Sequence, residues 1–337
     1  MASFVRSVHS TFADPELYQA SINPAHVEIF ITAKGDFRAS LTRIELPRLW
    51  VQYGREILPR IANSIASAER PPIFFLAGSE QVSISHNGRD LAYGEVVIAG
   101  SGSMRHHRSE GPCQWASLSL TRDDLAASGR ALVGSDLIDR STTHYLRPTP
   151  SVMSRLLSLQ QAADQLAQSA ANTLAQPEPA RALEQAFVHA IVTCLSESVP
   201  IKLGRGAVGH SAIIARFEEL LAVNYDQPLH LAEICAAIGA SERTLRTICI
   251  ENLGMGPIRY LWLRRMHLAR RALIQAAPQT ATVTEIATAN GFWELGRFAV
   301  EYRALFGEAP SASLHRSTQE VRASKNGPFA FAASEFA

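Results

Sequence analysis

Gly239 and Gly291 each stand between two short apolar helical patterns, and this repeat constrains the chain more than any other feature. In the first unit Leu231, Ile234, Cys235 and Ile238 fall on one face of a short helix. A sharp turn into a second helix needs a residue at positive φ just past the first. Glycine adopts that conformation without a Cβ penalty, which assigns the turn to Gly239. Ala240 is small enough to sit inside the turn, and Ser241 is placed to cap the next helix, whose Leu245 and Ile248 point back at the first. Arg243, Thr244, Arg246 and Thr247 are left facing outward.

The second unit repeats this scheme about 50 residues later. Val283, Ile286 and Ala287 form its first apolar face, Thr282 or Thr284 caps it, and Gly291 makes the turn. Phe298, Tyr302 and Phe306 then recur every four residues, which predicts a helix over about 293–306 closed by Gly307. Between the units, Pro257 to Gln275 reads as one helix with no internal glycine or proline. Roughly 19 residues at about 1.5 Å each make a rod near 28 Å. One turn of B-DNA is about 34 Å, so such a rod can hold two recognition helices in successive major grooves. There arginine can pair bidentately with guanine, and threonine can hydrogen-bond or touch a thymine methyl. A single helix-turn-helix pattern also occurs in helical proteins that never touch DNA; the tandem arrangement is what favours duplex DNA as the partner.

These residues resemble the DNA-binding domain of the AraC/XylS transcription regulators over 229–314, roughly a quarter of the chain. The matches are Leu231-Ala-Glu-Ile234, Gly239, Ser241-Glu-Arg-Thr-Leu245, Gly254-Met-Gly-Pro-Ile-Arg-Tyr-Leu261, Arg264-Arg265, Ile286-Ala287, Gly291-Phe292, Arg297-Phe298, Tyr302 and Phe306-Gly-Glu-Ala-Pro310. The resemblance implies that base reading falls to Arg243, Arg246 and Thr247 in the first recognition helix and to Leu295, Gly296 and Arg297 in the second. Ser241, Thr244 and Glu294 complete the candidate DNA-binding set, and Arg259, Arg264, Arg265 and Arg303 are candidate phosphate contacts. The second helix departs from the family pattern. Trp293 stands where members often carry Ser or Asp, and Gly296 inside a helix costs about 1 kcal/mol relative to alanine. That shifts the expected role of the second helix from base contacts towards phosphate anchoring.

Charge is polarised rather than broadly basic. From Arg243 to Arg271 there are seven arginines against one acid, Glu251, which reads as a phosphate-facing stripe, yet 211–316 holds 11 basic and 10 acidic residues. The whole chain has a net charge of +1, which argues against a protein that coats nucleic acid. Its 337 residues, 47% hydrophobic and 19% charged, suffice for two domains with real cores. No run of about 18 apolar residues and no apolar secretory segment is present, so no membrane association and a cytoplasmic location are expected. The cysteines at 113, 194, 235 and 249 form no metal-binding pattern, and neither metal, cofactor nor disulfide is expected. Cys235 and Cys249 read as small core residues; Cys113, in a Gly-Pro-Cys turn, is the one candidate for redox sensing.

Residues 198–210, rich in glycine, read as a linker between a sensor and dimerisation domain at 1–197 and the DNA-binding domain at 211–316, with 317–337 as a disordered tail. Short strand patterns at 27–32, 37–45, 73–77, 82–86, 96–99 and 114–120, with a tight-hairpin signal at Asn87-Gly88, place a small barrel or sandwich at about 20–120. The resemblance implies a cupin-like β-barrel there that senses an effector or a partner. Trp50, Phe74, Tyr93, His106 and Trp115 are the candidate lining of an effector pocket, although aromatics in strands are more often plain core. His106 and His107 would point to opposite faces of a strand, and no spaced His and Glu ligand set supports a metal site or an enzyme. Solvated loop positions are the simpler expectation for both histidines.

Two helices follow within about 150–197. Val152, Leu156, Leu159, Ala163 and Leu166 form one four-three stripe, and Leu183, Phe187, Ala190 and Cys194 the other. Such stripes pack either within the domain or between subunits; the resemblance favours a homodimer. The fold class expected is thus α+β, a cupin-like β-barrel with a helical pair followed by an all-α tandem helix-turn-helix domain. The expected function is a DNA-binding transcription regulator, an activator contacting RNA polymerase by family resemblance, controlled by a small-molecule effector or partner. The alternatives are a constitutive regulator whose barrel serves only assembly, and a cupin-type enzyme fused to a DNA reader.

Overall fold

Two antiparallel sheets face each other across an apolar interior, and each carries helices on its outer side. The computed structural model describes residues 5–315 apart from 23–25, 80, 82–83, 136, 138–141, 203–204 and 225–228. The tail expected at 317–337 lies outside the described residues.

The chain opens with β1 (Arg6–Phe12), α1 (Pro15–Ala20), β2 (His26–Ile31), β3 (Ala39–Glu45), β4 (Leu49–Glu56) and β5 (Arg60–Ile65). Next come β6 (Pro72–Leu76), β7 (Ile84–His86), β8 (Arg89–Leu91), β9 (Val96–Ile98), β10 (Met104–Ser109) and β11 (Cys113–Leu120). The connecting region holds α2 (Arg122–Val133), β12 (His144–Arg147), α3 (Pro150–Ser169), α4 (Ala171–Leu174), α5 (Pro177–Ser196) and β13 (Val199–Pro200). The C-terminal region is helical: α6 (Arg205–Val223), α7 (Leu231–Ile238), α8 (Glu242–Leu253), α9 (Pro257–Gln275), α10 (Val283–Ala289), α11 (Leu295–Phe306) and α12 (Pro310–His315).

The larger sheet runs β1-β3-β4-β11-β6-β9-β12-β13 and the smaller β2-β5-β10-β7-β8. Among the described residues no strand pairing joins one sheet to the other, so the unit is two facing sheets and not a closed barrel. The arrangement also starts earlier than about residue 20, since β1 pairs in full register with β3. At the Asn87-Gly88 turn both residues take positive φ (50° and 75°), the conformation of a tight two-residue hairpin between β7 and β8.

Side-chain alternation sends each strand into two cores. On β11, Cys113 and Trp115 enter the interior between the sheets, with Ile29, Leu41, Phe74, Leu76 and Tyr145. Ala116 and Leu118 face outward and pack against α2, α3 and α5 through Leu125, Leu156, Phe187 and Ile191. The apolar stripes of α3 and α5 are thus buried within the chain, against each other and the larger sheet. The glycine-rich stretch read as a linker is structured at both ends: Val199 and Pro200 pair with β12, and α6 begins at Arg205.

The smaller sheet is covered on its outer face by the helical C-terminal region. Phe30 of β2 and Ile61 of β5 belong to the same core as Phe217, Leu245, Tyr260, Met266 and Phe298. The order of layers is therefore helices α2, α3 and α5, the larger sheet, the smaller sheet, then helices α6 to α12. No helix among the described residues is long and apolar enough to cross a membrane.

Candidate DNA interface and interior cavity

The first helix-turn-helix unit is built by α7 and α8. Gly239 ends α7 at φ 67°, and its N–H bonds back to the carbonyl of Cys235. Ser241 caps α8, its Oγ accepting from the N–H of Thr244 at 3.1 Å, while Leu245, Ile248 and Cys249 are buried against α7 and α6. Arg243, Arg246 and Thr247 are exposed; Thr244 is half-buried, with its hydroxyl 2.8 Å from that of Ser241. Neither Arg243 nor Arg246 has an ion-pair partner among the described residues, which leaves both guanidinium groups available to an anion.

In the second unit the cap of α10 is Thr282, not Thr284: its Oγ1 accepts from the N–H of Glu285 at 3.2 Å, and the Glu285 carboxylate accepts from the N–H of Thr282 at 2.9 Å. The recognition helix α11 begins at Leu295, two residues later than the sequence pattern predicts, and Glu294 at its N-cap makes no side-chain cap bond. Trp293 is 78% exposed, and Leu295, Gly296 and Arg297 are exposed beside it. Arg297 pairs with Glu301 at 2.9 Å, and Glu301 also accepts from the indole N–H of Trp262 at 2.8 Å. The exposed Arg259 stacks on that indole, 3.9 Å from its centroid. Arg303 is exposed on the last turn of α11, and Arg265 is half-buried with its guanidinium 5.7 Å from the Phe292 ring.

Arg264, a candidate phosphate contact, faces the protein interior and not solvent. Its side chain is buried, 3.2 Å from Glu218 and 3.3 Å from Glu28 of the smaller sheet. Arg270 and Arg271 turn the same way, pairing with Asp14 at 3.0 Å and Glu16 at 2.9 Å. The arginine stripe of α9 therefore splits: Arg259 faces out, while Arg264, Arg270 and Arg271 face the acidic edge formed by α1 and β2. More contacts complete this interface. Asn63 of β5 donates through Nδ2 to the Tyr260 hydroxyl at 2.6 Å, and His267 Nε2 donates to the carbonyl of Ile31 at 3.1 Å. Burial of Glu218 raises its carboxyl to about 7 although Arg264 pulls the other way, and burial lowers the His267 imidazole to about 3.

Between the two sheets lies a cavity of about 60 Å³ lined by residues including Gln52, Ser64, Phe74, Arg105, His107, Trp115 and Ser117. Phe74 and Trp115 are the two sequence candidates that reach it, their rings 6.1 Å apart. Trp50 lies outside the cavity, under the guanidinium of Arg70 at 4.6 Å. Tyr93 is exposed in a turn on a separate outer cleft beside α3. His106 faces the opposite way, its Nδ1 donating to Oδ1 of Asn63 at 2.9 Å on the interface with α9. Neither His106 nor His107 is a solvated loop residue: both are buried on β10, pointing to opposite faces.

Sequence reasoning missed Arg105, Glu56 and Arg60 inside, and of the two histidines it is His107, not the candidate His106, that lines the cavity. The alternation of Arg105, His107 and Ser109 along β10 was the available signal. Glu56 accepts from the hydroxyl of Tyr18 at 2.7 Å and the indole of Trp115 at 2.8 Å, and is ion-paired with Arg60. Gly54 lets that indole cross the sheet, since a Cβ there would sit 2.3 Å from it. Cys113 is buried and not an exposed redox sensor; burial pushes its thiol up to about 12. Among the described residues no cluster of three or more His, Cys, Asp or Glu side chains is placed to hold a metal ion.

A family model described as a helix-turn-helix domain matches residues 234–316. XylDLEGF operon transcriptional activator 2 of Pseudomonas putida is 30% identical over 133 residues, covering 39% of this chain and 85% of that protein. The probable thc operon regulatory protein of Rhodococcus erythropolis is 42% identical over 99 residues, 28% of this chain and 30% of that relative's length. Among solved structures, that of the AraC-like transcriptional activator CuxR is similar over 84% of this chain and 100% of its own, at 16% identity and a TM-score of 0.39. The protein is a DNA-binding transcription regulator. The chain belongs to the AraC/XylS family.

Proposed function

We propose that this regulator activates transcription in response to a small molecule bound between its sheets, with 1–197 as sensor, 198–210 as connection and 211–316 as DNA reader. The observation that carries the reading is the shared wall between cavity and reader. On β5, Ala62 and Ser64 line the cavity while Asn63 between them bonds Tyr260 of α9. On β10, Arg105 and His107 line it while His106 bonds Asn63. On β2, Val27 and Ile29 line it while Phe30 packs edge-on against Tyr260 and His267. A ligand that shifts any of these strands changes the surface on which α9 rests, and it alters DNA affinity only to the extent that it binds one arrangement better than the other.

In this reading Arg243, Arg246 and Thr247 contact bases, assisted by Ser241 and Thr244. Glu294, Leu295, Gly296 and Arg297 form the second reader, and Arg259, Arg265 and Arg303 approach phosphates. The two-sheet unit serves as the family's cupin-like sensor, and a homodimer beside the promoter brings two tandem readers together and contacts RNA polymerase. Selection of bound sequences from a random duplex pool, with the full chain at two salt concentrations, tests the reader. Enrichment of two elements about one helical turn apart supports it, and salt-sensitive general binding alone overturns it. Operator affinity unchanged by every small molecule that binds the protein would favour a constitutive regulator.

A further inference from the structure

We propose that the cavity between the sheets takes a small organic monoanion, a carboxylate carried on a short apolar or aromatic body, with Arg105 as its counter-charge. This deepens the effector reading above and rests on it for its regulatory consequence, though not for the binding itself.

Two arginines line the cavity, and they differ in one respect. Arg60 is neutralised by Glu56. Arg105 is 6% exposed and has no ion pair or side-chain hydrogen bond among the described residues, and its Nε is buried without any partner. Burial alone acts on its guanidinium, drawing it down to about 10, so it stays charged at neutral pH. A buried, unpaired cation is costly, and proteins pair such groups or bring in a counter-ion. The walls suit a ligand with one charged end. Ser64 stands directly across from Arg105 in the sheet register, and Ser67 and Ser117 add polar groups that can bond carboxylate oxygens. Phe74 and Trp115, with Val27 and Ile29, supply apolar surface for the remainder.

Charge and size narrow the class. Burial holds His107 well below its ordinary value and therefore neutral, and Arg60 is already matched, so a single positive charge is unanswered. A volume of about 60 Å³ is several times what one water needs and suits one carboxylate with a short body.

The test is calorimetric titration of the full-length protein at neutral pH with butyrate and phenylacetate, with the neutral butyramide and phenylacetamide, and with inorganic phosphate. The expected result is saturable binding of a carboxylate below about 1 mM, at least tenfold weaker binding of the matching amide, and at least tenfold loss in Arg105→Met. That variant should be no less stable than the parent in urea, because it removes an unpaired buried charge. Should it fail to fold, Ser117→Leu, which fills the cavity from the opposite sheet, must abolish the same saturation. No carboxylate binding, equal binding of the amides, saturation by phosphate alone, or unchanged affinity in the variants each overturns the proposal. Operator affinity is read separately. Carboxylate binding at Arg105 without any change in DNA affinity keeps the site and removes effector control. A DNA response to a neutral compound, without carboxylate binding, keeps effector control and removes the anion site.

Discussion

Asn63 donates to the hydroxyl of Tyr260 at 2.6 Å and accepts from His106 at 2.9 Å, so one side chain of the smaller sheet ties the long helix of the DNA reader to the strand carrying Arg105. All three residues are buried, and loss of a partner leaves polar atoms that water cannot reach. Tyr260→Phe should cost about 1 kcal/mol, and Asn63→Leu, which strands both neighbours, about 2–3 kcal/mol. Urea unfolding of the full chain measures both. Equal, negligible losses would mean that these bonds do not hold the reader to the sheet.

The two faces of α9 predict opposite phenotypes for two arginines five positions apart. Arg264→Ala uncovers Glu218 and Glu28 in a buried setting and should destabilise the fold by about 3–5 kcal/mol. Arg259→Ala, on the exposed face, should leave stability almost unchanged and reduce the salt slope of operator binding by about one. A salt slope that falls for Arg264→Ala while stability holds would show that the docked arrangement of α9 gives way on DNA.

Stability should fall in acid. His86 and His267 are lowered to about 3, His106 to about 4 and His107 further below its ordinary value, each chiefly by burial. A depressed imidazole contributes stability that is present above about pH 6.5 and lost as pH falls towards the folded value. Glu218 acts in the other direction: raised from 4.5 to about 7, it contributes stability that is full below about pH 4.5 and lost as pH rises through 7. Burial also raises the Glu16 carboxyl, but four histidines outweigh two carboxyls, so the net slope between pH 7 and 4.5 is acid-destabilising. Glu218→Gln removes its opposing contribution and should steepen that slope by at most about 3 kcal/mol over the window; His267→Gln should flatten it. Urea midpoints across pH report both, and a wild-type fold that gains stability in acid would contradict the assignment.

The DNA reader was legible because its helices follow simple periodicity and its turns need specific residues, as at Gly239 and Ser241. The sheets were less so. The strands at 49–56, 60–65 and 104–109 escaped notice because polar residues occupy buried positions on them: Gln52 and Glu56, Arg60, Asn63 and Ser64, Arg105 and the two histidines. The smaller sheet is covered on both faces, so no solvent face supplies the usual polar alternation. Polar residues that serve a cavity or an interface break the apolar pattern where function demands it. Arg264, Arg270 and Arg271 of α9 were misplaced for another reason. A guanidinium suits a carboxylate as well as a phosphate, and no local pattern reveals that Glu28 and Asp14, more than 200 residues away in sequence, meet Arg264 and Arg270.

Arg243 is exposed on α8 and unpaired among the described residues, one turn from Thr247, whose hydroxyl donates to the Arg243 carbonyl at 3.1 Å. Arg243→Ala should weaken operator binding by about 1–3 kcal/mol and relax preference at one base position. A loss of equal size on every duplex sequence would reassign the residue to a phosphate.

Gly296 offers the cleanest separation of stability from recognition. It lies within the first turn of α11, is exposed, and a Cβ built there meets nothing within 4 Å. Its backbone is in the ordinary helical region, so alanine needs no adjustment, lowers the entropy of the unfolded chain and should stabilise the protein by about 0.5–1 kcal/mol. In the free protein, then, nothing requires glycine. If Gly296→Ala raises stability yet weakens operator binding, the backbone of α11 approaches DNA more closely than a methyl group allows, and the second reader touches its site through that turn. If stability and affinity both hold or rise, α11 contacts DNA elsewhere, through Arg297 or Arg303, and substituting those two should then cost affinity where Gly296→Ala does not.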